Sequence, residues 1–392
     1  MHSFFATSRW IPAVIGGLVT LTACSAPAAP PAQPTASTAA KVAEPTTAPA
    51  AAKPAEPAAA KAPEPASAKP AVTSLGQLVV AIPSQSLGFS PVIIADKKGF
   101  FKESGLDVEI VNAGSGSKAA AAVVGNSAQL GATDLADVVS AVEKGQDLKT
   151  IASFTTRPTT GVVVRRSVAE RLGINDSMPA ADRIRALKGL KLAISTPGSG
   201  TDTMLRYLLA AHGVDPERDV EILTTGSVVN SLAAYAQGVA DGASLSSPST
   251  ETALLQNDAV PVILTGNGEV PALRDQLQTG MWGTGKWLDA NPDKAAAATK
   301  AIWKSLNFIR TNEQEASELI RREAWAETDP KVFELAWKNQ MQAFTDDPAI
   351  TDERALSLTN YIGTIEKREV KVTAQLLSTN RFVEMVRPEM AR

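Results

Sequence analysis

Hydrophobic and polar positions along most of this chain follow two alternating patterns. Short apolar or alternating runs predict buried strands, and the longer stretches with helical spacing between them predict helices. The first set of predicted strands covers residues 78–82, 106–111, 129–132 and 148–154, and the helices between them cover 91–101, 117–124 and 134–144. This order is typical of a mainly parallel sheet with helices on both faces.

The pattern then starts again, which indicates a second α/β unit. Its predicted strands cover 161–164, 191–194, 220–223, 242–245 and 260–264, with helices at 203–211 and 228–237. From residue 292 onward the spacing is mostly helical, since Ile302, Leu306 and Ile309 share one helix face. We therefore predict an α/β fold of two lobes, each a mainly parallel sheet flanked by helices, with a helical C-terminal part.

A different composition precedes these units. Residues 25–72 are almost entirely Ala, Pro, Thr, Lys and Glu, they include no aromatic residue, and Val42 and Val72 are their only large aliphatic residues. Such a segment buries too little apolar surface to offset its chain entropy. Its many prolines favour extended conformations. We expect residues 24–74 to form a disordered linker.

The first residues have the organisation of a bacterial export signal, which we place at 1–23. A weakly basic start is followed by an apolar run at 11–21 and by small residues before Cys24. The run is shorter than the roughly 20 residues that span a bilayer. The sequence LTAC at 21–24 resembles the lipobox of bacterial lipoproteins, which implies acyl chains such as palmitate on Cys24 and a lipid anchor on the outer face of a membrane. The alternative is an ordinary secretory signal with a chance cysteine.

The scarcity of Cys and His excludes several kinds of site. Cys24 is the only cysteine, and His212 is the only histidine after residue 2. A two-histidine metal site is therefore impossible after signal removal, and Ser–His or Cys–His catalysis is disfavoured. A formal net charge of −3 predicts no basic surface for nucleic acid. We expect no metal, no cofactor, no nucleic-acid partner and no enzymatic activity.

Hydroxyl-bearing and glycine-rich segments follow nearly every predicted strand. They lie at 83–90, 112–117, 133–134, 155–157, 195–201, 224–227 and 246–248. Ligands of parallel sheets bind beyond the carboxyl ends of the strands. The Gly-Ser loops at 114–117 and 198–201 each open a helix, where free N–H groups favour anions or polar acceptors. Simple helix capping is the alternative for any single loop, but two loops at matching positions favour a ligand site.

Known catalytic and nucleotide-binding motifs do not fit these loops. Residues 114–118 lack the spacing of a phosphate-binding loop, and they lack the third glycine of a dinucleotide fingerprint. The sequence contains no Gly-x-Ser-x-Gly nucleophile elbow. These observations favour a binding protein over an enzyme.

One segment resembles a known family. Residues 91–108 read PVIIADKKGFFKESGLDV, which resembles the opening signature of periplasmic substrate-binding proteins of ABC importers, in the branch that serves nitrate, sulfonates, taurine and thiamine precursors. Weaker matches lie at 131–134, 187–193, 198–201 and 287–292. The resemblance covers about residues 76–320.

The resemblance implies two lobes that are joined by two hinge strands and that close over a small molecule. On this basis residues 75–158 and 286–392 form lobe I, and residues 159–285 form lobe II. The chain would cross between the lobes near 156–161 and return near 281–286.

The resemblance also implies which residues face the ligand. Lobe I would contribute Ser84, Ser86, Phe89, Ser115, Gly116, Thr133 and Thr155, and lobe II would contribute Ser199, Gly200, Thr201 and Ser246. Arg157, beside the first crossing, is a candidate for pairing with a carboxylate or sulfonate through a bidentate fork. A solvated hinge charge is the alternative role for Arg157.

The function implied by the resemblance is that of a monomeric solute-binding lipoprotein outside the cytoplasm. It would capture a small organic molecule, of the sulfonate, carboxylate or vitamin-precursor class, and deliver it to an ABC permease in the membrane. One alternative is a pyrimidine-forming enzyme of thiamine synthesis, which shares this fold but relies on His and a Cys-rich motif. The other is a ligand-sensing module of a membrane receptor.

Overall fold

The computed structural model describes residues 73–390, so the predicted signal peptide, Cys24 and nearly all of the predicted linker lie outside the described residues. The strands are β1 (Gly76–Ile82), β2 (Leu106–Asn112), β3 (Leu130–Asp134), β4 (Leu148–Ser153), β5 (Thr160–Arg165), β6 (Lys191–Ile194), β7 (Glu221–Thr224), β8 (Gly242–Ser246), β9 (Ala259–Leu264) and β10 (Thr279–Thr284). Each strand that the sequence pattern predicts is present, with ends shifted by one or two residues.

Helices surround these strands. They are α1 (Ser90–Lys97), α2 (Phe100–Glu103), α3 (Gly116–Val124), α4 (Leu135–Glu143), α5 (Arg166–Leu172), α6 (Ala180–Arg185), α7 (Gly200–Ala211), α8 (Val228–Ala236), α9 (Ser249–Gln256), α10 (Gly285–Ala290), α11 (Pro292–Thr311), α12 (Glu313–Ala324), α13 (Pro330–Met341), α14 (Asp352–Glu366), α15 (Ala374–Leu377) and α16 (Arg381–Met390). Across residues 73–390, no helix combines the length and the apolar character that crossing a bilayer requires.

The strands form two five-stranded sheets, each the core of one lobe. The first has the order β2-β1-β3-β10-β4, and the second has the order β7-β6-β8-β5-β9. In the first sheet β1 pairs in parallel with β2 and β3, whereas β10 runs antiparallel between β3 and β4. In the second, β6 pairs in parallel with β7 and β8, and β5 runs antiparallel between β8 and β9. The predicted two-lobed α/β fold is confirmed.

The predicted helix at 91–101 is two helices in the structure. Gly99 adopts a left-handed conformation, with φ of 76°, and separates α1 from α2. A left-handed residue cannot continue a right-handed helix, and glycine adopts this conformation without a steric penalty. The predicted continuous helix is therefore wrong at this point.

The return crossing lies earlier than the sequence indicates. Strand β10 (Thr279–Thr284) belongs to the first sheet, so the chain has already returned from the second lobe before residue 279. This corrects the predicted crossing at 281–286 and the lobe II boundary at 285. Two glycines inside β10 weaken its strand signal. Gly280 is needed there because a Cβ atom on it would lie only 2.7 Å from the carbonyl oxygen of Ala152.

Trp282 lies on β10, the fourth of the five strands of the first sheet, and is fully buried. Its indole Nε1 donates a hydrogen bond to Thr133 Oγ1 at 3.0 Å. The ring also lies directly over Gly131, where a Cβ atom would be 2.4 Å from Trp282 Cζ2. The tight fit of Trp282 therefore depends on the absence of a side chain at position 131.

The C-terminal helices contact both lobes, although the sequence places residues 286–392 with lobe I. Helix α11 packs on α1, α2 and α16 on the first lobe. In contrast, α13 contacts α9 of the second lobe, and α14 contacts α7 of the second lobe and α4 of the first. The rings of Tyr207 on α7 and Tyr361 on α14 lie 4.7 Å apart. The two lobes are thus connected by packed helices as well as by the crossing segments.

Candidate ligand-binding site

A cavity of about 130 Å³ lies between the carboxyl ends of the two sheets. Most of the residues predicted to face a ligand line this cavity. From the first lobe they are Ser84, Ser86, Phe89, Ser115 and Gly116, and from the second lobe they are Ser199, Gly200, Thr201 and Ser246. The fold brings these residues together because both sheets direct their strand ends toward the same cleft.

Three of the predicted site residues do not line the cavity. Thr133 is fully buried and accepts the hydrogen bond from Trp282. Thr155 is also buried, and its Oγ1 lies 2.8 Å from Thr279 Oγ1 and accepts the N–H of Thr279 at 3.1 Å. Thr155 therefore joins the outgoing and returning chain segments, and Thr279 lines the cavity instead.

Arg157 is the third predicted residue outside the cavity lining. It follows β4 on the first crossing, and its Nε atom is buried without a hydrogen-bond partner among residues 73–390. An arginine that pairs with an anionic ligand would have to point into the cavity. In this structure, Arg157 does not supply a positive charge to the cavity lining.

Three serines cap the helices whose N-termini surround the cavity. Ser115 Oγ accepts the N–H of Lys118 at 3.3 Å, and Ser199 Oγ accepts the N–H of Asp202 at 3.4 Å. Ser227, which lies in the segment 224–227 but was not among the predicted site residues, caps α8 in the same way. Capping and lining are therefore not alternatives here, because the same serines do both.

The second lobe presents a compact group of hydroxyls. Ser195 Oγ lies 2.8 Å from Ser199 Oγ and 2.9 Å from Thr201 Oγ1, and the last two oxygens are 3.1 Å apart. A hydroxyl can donate one hydrogen bond and accept others. Because each of these groups is already held by its neighbours, they form an ordered polar wall that retains acceptor capacity.

Two aspartates in the cavity lining were missed by the sequence analysis. Asp134 and Asp137 both line the cavity, at the start of α4. Asp134 Oδ1 accepts the N–H of Ala136 at 3.0 Å, and its carboxyl also bonds the side chain of Gln278. Residues three apart share one face of a helix. This spacing after a strand end was a usable signal, and it predicts that both carboxyls face the same side.

Glycines allow the close approach of both carboxyls. A Cβ atom on Gly116 would lie 1.9 Å from Asp137 Oδ2, and one on Gly200 would lie 2.8 Å from Asp134 Oδ2. The second of these contacts crosses the cleft, since Asp134 belongs to the first lobe and Gly200 to the second. The lobes therefore touch at the cavity.

Enclosure changes the acidity of both aspartates. Removal from water raises the pKa of Asp134 to about 6, against the opposing effect of its hydrogen bonds from Ala136 and Gln278. Removal from water also raises the pKa of Asp137 well above its usual value, and the nearby charge of Asp134 raises it further. No set of three or more His, Cys, Asp or Glu side chains able to hold a metal ion is found in the described part of the chain.

The sequence of this chain is similar to those of several curated relatives. The chain is 24% identical to YtlA of Bacillus subtilis (strain 168), which is named as a binding protein, over 71% of this chain and 80% of that protein. It is 23% identical to the nitrate/nitrite binding protein NrtA of Synechocystis sp. (strain ATCC 27184 / PCC 6803 / Kazusa), over 64% of this chain and 59% of NrtA.

Solved structures share the fold. A structure from Bordetella bronchiseptica RB50 has a TM-score of 0.71 and 25% identity, over 81% of this chain and 98% of that one. The periplasmic aliphatic sulphonate binding protein SsuA of Escherichia coli has a TM-score of 0.61 and 17% identity, over 79% of this chain and 99% of SsuA. The NMT1-like family matches residues 84–323, more than half of the sequence. The chain belongs to the NMT1-like family.

Proposed function

We propose that this protein is a solute-binding protein that acts outside the cytoplasm, captures a small organic molecule between its lobes and delivers it to an ABC importer. The observation that carries the proposal is the cavity itself. Hydroxyl groups and helix N-termini from both lobes converge on it. The relatives named as binding proteins support this function and favour it over an enzyme.

The mechanism follows from the position of the cavity. A ligand that contacts both walls binds the closed arrangement better than an open one, and it can shift the equilibrium only by that difference in affinity. The contact of Asp134 with Gly200 across the cleft is available only when the lobes meet. The permease would then distinguish loaded from empty protein by the relative position of the two lobes.

Retained ligand is the most direct test of this function. We expect native mass spectrometry of freshly purified mature protein to show a bound small molecule that is lost on unfolding. Adding the molecule back should raise the Tm, because a ligand that binds only the folded state stabilises it. If no small molecule is retained and no solute of any charge class changes the Tm, the proposed function is wrong.

We also propose that Cys24 carries the lipid that anchors the protein to a membrane. Cys24 is the only cysteine of the chain, so it is the only site for a thioether-linked lipid. More than one acyl chain on a residue gives durable anchoring, whereas a single chain is marginal.

Replacing this cysteine should release the protein. Cys24→Ser is expected to abolish incorporation of labelled palmitate and to move the protein from the membrane fraction to the soluble fraction. Ser25→Ala is the matched control, because it alters the neighbouring residue and keeps the thiol. A Cys24→Ser protein that still incorporates palmitate would contradict the assignment.

A further inference from the structure

The cavity lining carries charge of only one sign. Among the residues of the described chain that line it, the charged side chains are Asp134 and Asp137, and none is Lys, Arg or His. The rest of the lining consists of hydroxyls, glycines, Gln278 and a few apolar groups. Lys118 lies near the rim but is exposed to solvent, with its Nζ 4.0 Å from the position of a Cβ atom on Gly114. A bound molecule would therefore meet charged side chains of negative sign only.

The two carboxyls are incompletely satisfied by the protein. Asp134 receives hydrogen bonds from Ala136 and Gln278, whereas the Asp137 carboxyl accepts none from residues 73–390. Gly116, beside Asp137, belongs to the first turn of α3. The N-termini of α3, α7 and α8 surround the cavity, and each contributes only about half a positive charge. The protein thus supplies partial compensation for two enclosed acids.

The free-energy cost of ionising Asp134 and Asp137 depends on what the cavity contains. Two like charges in an enclosed site oppose each other, and an ionised carboxylate that has lost its water is costly unless it is paired. An anionic ligand would be repelled by whichever of the two carboxyls is ionised. A ligand with positively charged N–H groups would satisfy both carboxyls with charge-assisted hydrogen bonds, which are roughly twice as strong as neutral ones.

We infer that the ligand of this cavity carries a positively charged nitrogen group, of the ammonium or amidinium type, held between Asp134 and Asp137. The inference rests on the proposed function and narrows it. Of the ligand classes that the sequence analysis left open, it favours the vitamin-precursor class over sulfonates and carboxylates. The hydroxyls of Ser195, Ser199 and Thr201 on the opposite wall would hold the polar remainder of the molecule.

The direction in which ligand affinity changes with pH distinguishes a cationic ligand from an anionic one. The pKa of Asp134 is raised to about 6 in the empty protein, and a cation binds the ionised form. Affinity should therefore rise with pH through the range in which both acids ionise, and it should weaken by about tenfold or more per unit below 6. An anion that bound the protonated acids would show the opposite slope.

The other titratable and charged groups that face Asp134 do not produce this dependence of affinity on pH. Asp137 on α4 has a raised pKa and strengthens the same trend. Tyr361 on α14 has a pKa raised well above its usual value by burial, so its phenol stays neutral. Asp202 on α7 is paired with Arg206, whose Nε lies 2.6 Å from Asp202 Oδ1. These neighbouring groups therefore either keep their charge or change the affinity with pH in the same direction as Asp134.

The test offers the mature protein an equimolar mixture of ethanolamine, putrescine, agmatine and benzamidine with ethanesulfonate, benzoate and nitrate. We expect native mass spectrometry at pH 7.5 to retain a cation and no anion. Retention of an anion, or of no cation, overturns the inference. An anion retained in this way would leave the proposed function intact, whereas failure of every solute to bind or to raise the Tm would contradict that function as well.

Substitution of each aspartate then tests whether its carboxylate binds the cation. Asp134→Asn and Asp137→Asn should each weaken binding of the retained cation by about tenfold or more, because each removes one charged acceptor. Asp107→Asn is the matched control, an exposed aspartate on β2 that makes the same charge change away from the cavity. Equal affinity of the wild type, Asp134→Asn and Asp137→Asn proteins overturns the inference.

A stability measurement distinguishes ligand contact from damage to the fold. Because the carboxyls have raised pKa values, their ionisation opposes folding at pH 7.5. Asparagine is neutral, and at position 134 it can also cap α4. Both variants should therefore keep or raise the Tm of the empty protein while losing affinity. A lower Tm in the empty state, with affinity unchanged, would assign these aspartates to the fold and contradict the inference.

Discussion

Trp282→Ala should lower the free energy of unfolding by about 3–5 kcal/mol, the range for loss of a large buried aromatic side chain. The indole, on β10 of the first sheet, is fully buried and fills the space over Gly131. Its removal leaves a cavity that the flanking strands cannot collapse to fill, and it leaves Thr133 Oγ1 without its indole donor. Urea unfolding monitored by far-ultraviolet circular dichroism would measure the loss.

The control is Trp287→Ala on α10, which removes the same side chain from a partly buried position. We expect a clearly smaller loss there, because less apolar area returns to water. A second variant, Trp282→Phe, keeps most of the volume and removes the N–H, so it should cost less than Trp282→Ala. Equal losses for Trp282→Ala and Trp287→Ala would show that the stability of the first sheet does not depend on this indole.

Gly200→Val should weaken ligand binding by roughly 5- to 150-fold, the equivalent of 1–3 kcal/mol of overpacking. A Cβ atom at this position would lie 2.8 Å from Asp134 Oδ2 on the opposite lobe. The clash exists only while the lobes meet, so the substitution penalises the closed arrangement and leaves an open one unaffected. Apparent affinity falls in proportion to the population of the binding-competent state.

Titration calorimetry with the molecule identified by native mass spectrometry would measure this effect, and the Tm of the empty protein would be recorded in parallel. Gly266→Ala is the control, because a Cβ atom there would have ordinary contacts, the nearest at 3.7 Å from Thr159 Cγ2. We expect Gly266→Ala to bind normally. An unchanged affinity in Gly200→Val would mean that lobe closure at this contact is not coupled to binding.

Short apolar runs were sufficient to predict most of the sheet architecture. Strands such as β1 and β6 are almost continuously apolar, because parallel strands covered on both faces must bury every side chain. Strand β10 escaped prediction because Gly280 and Gly283 interrupt its apolar pattern. Those glycines are required by backbone and side chains that approach from neighbouring strands, and this requirement is not visible in the local sequence.

The cavity, like the sheets, could be predicted from the sequence only in part. Loops rich in Ser, Thr and Gly after the strands identified nine of the residues that line it, since parallel strands present their carboxyl ends at one edge. Arg157 was selected for its charge and its place near a crossing, but the direction of its side chain depends on packing. Asp134 and Asp137 were not selected because the sequence analysis followed hydroxyls and glycines after the strands, and the local sequence does not show that these carboxyls face the cleft.

The sequence by itself determined the two α/β units, the hydroxyl-rich loops that face the cleft and the expectation of a lipid on Cys24, because each depends on residues close together along the chain. Only the tertiary structure decided that β10 completes the first sheet, that α13 and α14 contact both lobes, and that Asp134 meets Gly200 across the cleft. These features depend on contacts between residues distant in sequence. Their physical basis is the simultaneous packing of several elements, which local hydrophobic patterns do not encode.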